Sequence, residues 1–280
     1  MEKAIKRYFP IFVLPTMIAF TLGFIIPFVE GVYLSFCKFT TVNDAKFIGF
    51  ANYAKVFADE TFVHAFWDTA AFTVVSVILI NVLAFAVALL LTKGFKGTNI
   101  FRTVFIMPNL IGGIVLGYIW QLLLNGILMK FSRTLTYSST YGFWGLIILM
   151  CWQQIGYMMI IYIAGIQNIP GELIEAAEID GATKWQILKK VTIPMVMPSI
   201  TVCTFLTLTN SFKLFDQNLA LTNGEPSKMS EMLALNIFNT FYGRTGYEGV
   251  GQAKAVIFFI LVTVIALTQN YLTRRKEVQQ

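Results

Sequence analysis

An acidic segment, ELIEAAEIDGAT at 172–183, has the residue types and spacing best suited to contact with another protein. It holds four of the chain's 15 acids, in a sequence that is 56% hydrophobic and 13% charged. Small side chains at Ala176 and Ala177 let another backbone or a large side chain approach closely. The segment therefore suits a docking surface, and an ordinary solvated loop with capped helices accounts for it equally well.

Polar side chains inside two long apolar segments form a second group. Such residues are costly in a membrane and face the protein interior or a cavity. In the segment 194–220 the helical spacing i, i+3, i+6, i+7, i+10 joins Thr204, Thr207, Asn210, Ser211 and Leu214. In 142–166 the corresponding cluster is Trp152, Gln153, Gln154 and Tyr157. We expect these stripes to line a polar path, although hydrogen bonds between helices would produce the same pattern.

Several kinds of chemistry have no support in the sequence. The phosphate-binding pattern G-x-x-x-x-G-K-[ST] is absent, and GFKGT at 94–98 has neither its spacing nor its final Lys-Ser/Thr pair. The three cysteines show no metal-binding spacing. We therefore expect no catalytic site, no metal and no cofactor bound by this chain, so any ATP would be bound by another chain.

The elements that position these residues are membrane-spanning helices. About 20 mostly apolar residues are needed to cross a bilayer. Six segments meet this requirement, at about 10–36, 68–92, 103–124, 142–166, 194–220 and 253–273. The sequence thus predicts an all-α, polytopic membrane protein that forms a single transmembrane domain over 1–280.

Orientation follows from the placement of basic residues, because cytoplasmic loops are enriched in Lys and Arg. Six spans place both termini on one side, together with the loops 93–102 and 167–193. These four pieces carry twelve of the 21 basic residues, namely Lys3, Lys6, Arg7, Lys93, Lys96, Arg102, Lys184, Lys189, Lys190, Arg274, Arg275 and Lys276. Both termini and the acidic segment are therefore predicted to be cytoplasmic.

The loop 167–193 is predicted to contain two short helices. Pro170 precedes the first helix, at about 172–178, whose acids favour a helix N-terminus. Gly181 ends it, and Thr183 is a plausible N-cap for a second helix that continues to Val191. The prediction is a helix–Gly–helix loop on the cytoplasmic face.

This loop resembles a motif of binding-protein-dependent ABC importer permeases. EAAEIDGA at 175–182, followed by VTIP at 191–194, is similar to the pattern EAA-x-x-x-G, nine residues, I-x-L-P. Val191 stands in place of the Ile and Ile193 in place of the Leu, and the spacing is intact.

Three further stretches resemble the sugar-type permeases. They are FIGFANYAKVF at 47–57, FRTVFIMPNLIGGIVLGYIW at 101–120 and LFDQNLALTNGEP at 214–226. The resemblance covers most of the chain and points to the maltose-transporter-like subfamily in its six-span form. It implies the type I ABC importer permease fold and the import of a carbohydrate, with an oligosaccharide favoured over a monosaccharide.

The resemblance also implies partners and a coupling site. In that family the loop seats in a cleft of a cytoplasmic ATPase, which binds ATP and Mg²⁺. Two ATPase copies, a second homologous permease subunit and an extracytoplasmic sugar-binding protein complete the transporter, in a bacterial plasma (inner) membrane. By this resemblance the coupling residues are Glu175, Ala176, Ala177, Asp180, Gly181, Ala182 and Pro194.

Maltose-type permeases line their sugar site from the fourth and fifth spans. Tyr157 and Ser211 match that lining, with Gln154, Thr207 and Asn210 nearby on the matching stretch. The predicted substrate pathway also includes Gln153 and Leu214 from the two polar stripes. Gln154 replaces a Gly of the maltose protein and Leu214 an Asn, which argues against the same sugar.

Three alternative functions stand beside carbohydrate import. An ion-coupled secondary carrier would require a coupling-ion site in mid-membrane and would leave the acidic loop unexplained. Lys213 and Asp216 are i, i+3 neighbours that could simply pair with each other, and they supply no proton relay. An ABC permease for a non-sugar solute and a membrane enzyme are the other two.

Overall fold

The protein is helical along almost its whole length. The structure is a computed structural model that describes residues 2–94 and 96–275, with side chains from Tyr8 onward, so Lys276 and the side chains of Lys3, Lys6 and Arg7 lie outside the described part. The helices are α1 (Glu2–Phe20), α2 (Ile26–Leu34), α3 (Ala51–Phe57), α4 (Glu60–Leu91), α5 (Thr98–Ile106), α6 (Gly113–Leu128), α7 (Ser139–Gln167), α8 (Gly171–Ile179), α9 (Lys184–Ile187), α10 (Ile193–Met195), α11 (Met197–Phe212), α12 (Asp216–Leu221), α13 (Leu233–Gly243) and α14 (Glu248–Arg274). Two short strands, β1 (Cys37–Lys38) and β2 (Lys46–Phe47), pair antiparallel.

Five of the described helices are long and apolar enough to cross a membrane. They are Tyr8–Leu34, which includes a π-helical turn at Thr21–Ile25, and Glu60–Leu91, Gly113–Phe131, Ser139–Gln167 and Glu248–Arg274. A sixth span is possible if the pair Lys184–Met195 and Met197–Phe212, bent by 69°, crosses as one unit. The described residues thus hold five or six candidate spans, and the six predicted from apolar run length equal the upper count.

The third and fifth predicted spans differ from the helices that form. The third was placed at 103–124, but the chain turns at Met107–Leu110 and the long helix begins at Gly113. Pro108 lacks a backbone N–H and ends α5. The fifth was placed at 194–220 as one helix, but it bends at Val196, just before Pro198, and stops at Phe212. Hydrophobicity alone does not predict where these helices are interrupted.

The chain divides into two compact units, each built from segments distant in sequence. One unit contains the residues up to Glu60 together with Ile237–Ile260, and the other contains Thr61–Asn236 together with the residues from Leu261 onward. The prediction of a single domain over 1–280 stays a prediction.

In the first unit a buried asparagine fixes the β1–β2 hairpin. The side-chain amide of Asn52 donates hydrogen bonds to the carbonyls of Ser35 (2.9 Å) and Cys37 (2.8 Å). Gly249, at the start of α14, lies so close that a Cβ there would be 2.2 Å from the Cys37 carbonyl oxygen. The Asn of the stretch FIGFANY therefore has a structural role, because it satisfies backbone carbonyls that would otherwise be buried without a partner.

In the second unit α7 forms the centre of the core. Leu146, Leu149, Met150, Met158 and Met159 are buried along it. They pack in one apolar cluster with residues of α4, α6 and α11. This central helix presents Gln153 and Gln154 on its buried surface, where polar groups require partners.

The contact of α5 with α7 depends on the absence of a side chain at Gly156. A Cβ at this position would lie 1.7 Å from the carbonyl oxygen of Phe105 and 2.8 Å from the backbone nitrogen of Ile106. Gly156→Ala is expected to separate the helices and destabilise the protein by about 1–3 kcal/mol, because backbone atoms cannot move aside as a side chain can. The thermal midpoint of the purified protein in detergent measures this loss.

Gly126→Ala is the matched control for that substitution. No atom lies within 4 Å of a Cβ at Gly126, which is also in a helix. Alanine there should preserve or slightly raise the midpoint, because glycine is the weaker helix former. If Gly156→Ala had the same thermal midpoint as the wild type, the close approach of α5 to α7 would be contradicted.

Candidate functional site

The acidic loop folds into α8 and α9, which meet at Gly181. The N–H of Ala182 donates to the carbonyl of Ala177 at 2.9 Å, and the N–H of Gly181 donates to the carbonyl of Glu178 at 3.0 Å. These two bonds form the Schellman arrangement, which places a left-handed residue directly after the helix. Gly181 has a φ of +77°, a conformation that glycine adopts without a steric penalty. Backbone geometry thus explains the glycine of the EAA-like pattern.

The second half of the loop is capped at Thr183. Its hydroxyl accepts a hydrogen bond from the N–H of Gln186, whose side-chain oxygen accepts one from the N–H of Thr183 at 2.7 Å. This capping box satisfies backbone donors at both residues. Beyond α9 the helical path continues through a π-helical segment, Leu188–Thr192, to α10. The predicted second helix therefore runs on to Met195 instead of ending at Val191.

A shallow groove of about 260 Å³ separates α8 from the helical segment that follows. Its lining residues are Ala177, Asp180, Gly181, Ala182, Gln186, Ile187, Lys190 and Val191. Beside it the apolar side chains of Ile179 and Trp185 are 86% and 69% exposed. Large exposed apolar side chains next to a groove are typical of a surface that contacts another protein.

The structure brings four of the seven predicted coupling residues to this groove. Glu175 and Ala176 are exposed on α8 outside the groove lining. Pro194 lies in α10 and does not line the groove either.

A polar cavity of about 350 Å³ lies between α7 and the segment that joins α11 to α12. Its lining residues are Met150, Gln154, Asn210, Lys213, Leu214, Phe215, Asp216 and Gln217. This volume falls within the range of small-molecule sites. Amide and charged groups together with one aromatic ring can bind a solute rich in hydroxyl groups.

Hydrogen bonds among amides hold the cavity wall in place. The side chain of Gln217 donates to Gln153 at 2.8 Å, and Gln153 donates to the carbonyl of Ile111 at 3.4 Å. The side chain of Asn210 donates to Gln154 at 3.5 Å. Gln153 does not line the cavity itself but orients Gln217, which does.

Three predicted pathway residues lie elsewhere. Thr207 is buried, donates to the carbonyl of Cys203 and accepts from Asn81 of α4 at 3.3 Å. Ser211 is buried, and its hydroxyl has no hydrogen-bond partner in the part of the chain that the structure describes. Tyr157 is 38% exposed and is not among the cavity-lining residues. Gln154, Asn210 and Leu214 are the predicted residues that do line the cavity.

Lys213 and Asp216 line the cavity, although their i, i+3 spacing suggests an ion pair instead of a binding role. No ion pair joins Lys213 to Asp216 in the residues that the structure describes, unlike His64–Asp68 and Lys254–Asp59. Both residues fall in the stretch around LFDQNLALTNGEP, and that signal could have located them. The same described residues contain no group of three His, Cys, Asp or Glu side chains that could hold a metal ion.

The stretch after the cavity is held by Asn218. Its amide donates to the carbonyl of Ser230 at 2.8 Å and to the hydroxyl of Thr222 at 3.0 Å, and its oxygen accepts from the N–H of Met232 at 2.9 Å. The Thr222 hydroxyl in turn accepts from the N–H of Gly224. Bonds within this stretch therefore fold the chain back after α12, the helix that carries Gln217 at the cavity.

Membrane-length helices, a solute-sized polar cavity and an exposed capped loop together define a membrane-embedded transport component. The chain belongs to the family described as binding-protein-dependent transport system inner membrane component, whose model matches residues 80–278. The recognition made from the loop motif is therefore confirmed, and the chain is an ABC permease subunit of the inner membrane.

Individual relatives agree with this assignment. The chain is 42% identical, over 96% of its length and 94% of the relative, to a probable starch degradation products transport system permease protein of Thermoanaerobacterium thermosulfurigenes. It is similar in fold to a bacterial ABC transporter involved in the import of the acidic polysaccharide alginate (TM-score 0.82, 23% identity, 98% of both chains). A second structure of that transporter, in complex with an alginate pentasaccharide-bound periplasmic protein, gives a TM-score of 0.81 at 22% identity, covering 98% of this chain and 97% of that one. The predicted all-α fold of type I ABC importer permeases is confirmed.

Proposed function

We propose that this permease carries a carbohydrate, of oligosaccharide size, across the bacterial plasma membrane. The observation that carries this proposal is the polar cavity beside α7, because amides and charged groups match the dense hydroxyl groups of a sugar. The relative named for starch degradation products supports the same class of solute. Malto-oligosaccharides are therefore the first solutes to test.

The proposed pathway passes the cavity. Gln154, Asn210 and Leu214 would contact the solute directly, and Gln153 would act by orienting Gln217. Thr207, Ser211 and Tyr157 are proposed as pathway residues that contact the solute in another conformation of the transporter. Alternating access moves one bundle of helices against another, and the Ser211 hydroxyl gains a partner if this motion exposes it to solute or water.

The groove beside α8 is the proposed coupling site. Ala177, Asp180, Gly181 and Ala182 would contact an ATPase subunit in the groove, with Glu175 and Ala176 on its rim and Pro194 holding the helical segment behind it. ATP and Mg²⁺ would be bound by that partner, and this chain would bind no cofactor. The exposed side chains of Ile179 and Trp185 support a protein partner, because docking would remove their apolar surface from contact with water.

The proposed assembly contains four kinds of subunit. This chain would pair with a second, homologous permease, rest on two copies of a cytoplasmic ATPase and receive sugar from an extracytoplasmic binding protein. The solved alginate transporter, in complex with a periplasmic protein, supports the last partner. The excess of basic residues in the loops 93–102 and 167–193 supports a cytoplasmic position for both termini and for the groove.

Charge reversal at Glu175 tests the coupling site. Glu175→Lys is expected to lower uptake of radiolabelled maltotriose by about tenfold or more. Reversing the charge would turn the proposed attraction to the ATPase subunit into a repulsion, and like charges that face each other across an interface cost several kcal/mol. The amount of this chain in the membrane should not change, since Glu175 is exposed. Uptake by cells that carry the complete transporter, together with an immunoblot of their membranes, measures both.

Glu225→Lys makes the same charge change at an exposed loop residue outside the groove and should leave uptake intact. Normal uptake by Glu175→Lys would remove Glu175 from the coupling site. A wild-type transporter that imports no malto-oligosaccharide and no other oligosaccharide would overturn the proposed solute class instead.

A further inference from the structure

Lys213 supplies the cationic side chain among the residues that line the polar cavity. It follows the last residue of α11, and its side chain is exposed to the cavity space. Its ammonium group forms no hydrogen bond or ion pair with the part of the chain that the structure describes. An ammonium group in such a place is available to a ligand.

Asp216 does not form an ion pair with Lys213, and its side chain lies against the start of α6. It lies against Gly113, the first residue of α6, where a Cβ would be 2.7 Å from the Asp216 Cβ and 3.1 Å from its Oδ2. Only glycine leaves room for the carboxylate there. The N-terminus of the 16-residue helix α6 carries partial positive charge and favours this carboxylate.

The positive charge of Lys213 is likewise stabilised by the end of a helix. It is the C-cap of α11, also 16 residues long, and the C-terminal end of a helix carries partial negative charge. Each of the two charges is therefore stabilised by a helix terminus instead of by the other. This arrangement keeps an ammonium donor free in the cavity without a buried, uncompensated charge.

The side-chain amides near Lys213 already form hydrogen bonds with each other. The Gln217 side chain donates to Gln153, and the Asn210 side chain donates to Gln154. Lys213 thus differs from Asn210 and Gln217, each of which already donates to a neighbouring amide, and it offers a charged donor to a ligand.

We infer that Lys213 determines specificity by donating a hydrogen bond to an acceptor oxygen of the glycan in the cavity. This inference rests on the proposed function. The acceptor is a hydroxyl oxygen of a neutral sugar or a carboxylate oxygen of a uronic acid, and both chemistries accept from an ammonium group. Hydrogen bonds to a charged group are stronger than neutral ones, so one such bond can separate substrates that are otherwise alike.

The test compares transport of two glycans by three forms of the complete transporter. Wild type, Lys213→Met and Lys213→Arg are each supplied with maltotriose, which is neutral, and with an oligouronate of three residues. Lys213→Met keeps the aliphatic stem and removes the charge, and it is expected to slow uptake of the transported glycan about tenfold or more. Lys213→Arg keeps the charge and should stay within about threefold of wild type.

The ratio of the two uptake rates separates specificity from general damage. Loss of the ammonium should reduce uptake of the oligouronate more than uptake of maltotriose if the acceptor is a carboxylate, and uptake of maltotriose more if the acceptor is a hydroxyl. A merely structural role would lower both rates equally and would also lower the thermal midpoint. Lys130→Met, at an exposed lysine outside the cavity lining, is the matched control and should change neither rate.

Each outcome decides one claim. If the wild type imports a glycan and Lys213→Met imports it equally well, the role of Lys213 is overturned and the proposed function stands. If Lys213→Arg and Lys213→Met lose uptake equally, charge is not the determinant and the role is also overturned. If the wild type imports neither glycan nor any other oligosaccharide, the proposed function fails and the role of Lys213 fails with it.

Discussion

Replacing Gly181 with valine is expected to abolish transport while leaving the protein in the membrane. The backbone at Gly181 is left-handed, with a φ of +77°. A residue with a Cβ pays about 1–2 kcal/mol for that conformation, and a β-branched residue fits it still less well. The two hydrogen bonds that end α8 would be lost, and with them the positions of Ala177 and Asp180 in the groove. Solute uptake and the membrane level of the chain are the measurements.

Two further variants make that test specific. Gly181→Asn should retain much of the uptake, because asparagine tolerates the left-handed conformation better than other residues with side chains. Gly171→Ala alters a glycine of the same helix that has no positive φ and no atom within 4 Å of a Cβ, so it should have little effect. Uptake at the wild-type rate by Gly181→Val would show that transport does not depend on the conformation of this loop.

The loop that contains α8 and α9 was predictable because its signals are local. Pro170, Gly181 and Thr183 each act on the few residues around them, so the sequence indicates where each helix begins and ends. What the sequence could not show is the groove, which depends on α8 and the following segment approaching each other. The exposure of Ile179 and Trp185 likewise depends on tertiary structure, since apolar residues of this size are usually buried.

The polar cavity was predicted only in part, for a geometric reason. Helical spacing identifies the polar face of a helix but not the neighbour that this face contacts. Thr207 and Asn210 were assigned to one stripe, yet Thr207 bonds with Asn81 of α4 and Asn210 lines the cavity. The spacing argument also assumed a helix through 220, whereas α11 ends at Phe212. Lys213, Asp216 and Gln217 take positions that follow from that end.

The helix count was predictable and the helix boundaries were less so. Apolar run length identifies a span, because the bilayer sets a minimum length. The turn at Met107–Leu110 and the bend at Val196 depend on how prolines are placed against neighbouring helices. The first break allows α6 to begin at Gly113 beside Asp216, and the second separates the segment Lys184–Met195 from α11.

Lys254 is a buried charge in the first turns of α14, the last membrane-length helix. Its side chain is fully buried, and its ammonium group lies 2.8 Å from a carboxylate oxygen of Asp59 and 2.8 Å from the hydroxyl of Thr240. A charge inside such a helix is stable only with a partner that offsets its lost hydration. Apolar run length placed Lys254 inside the sixth predicted span without indicating this pair.

Lys254→Met is therefore expected to destabilise the protein by about 3–5 kcal/mol, because it leaves the partly buried Asp59 without this cation. The thermal midpoint of the purified protein should fall accordingly. The double variant Lys254→Met/Asp59→Asn should recover much of the loss, since breaking a buried pair costs far more than replacing both members. A double-mutant cycle over the four forms gives the coupling energy directly. Additive losses in the two single variants would show that the pair does not hold α14 to the residues preceding α4, and the burial of Lys254 would then need another explanation.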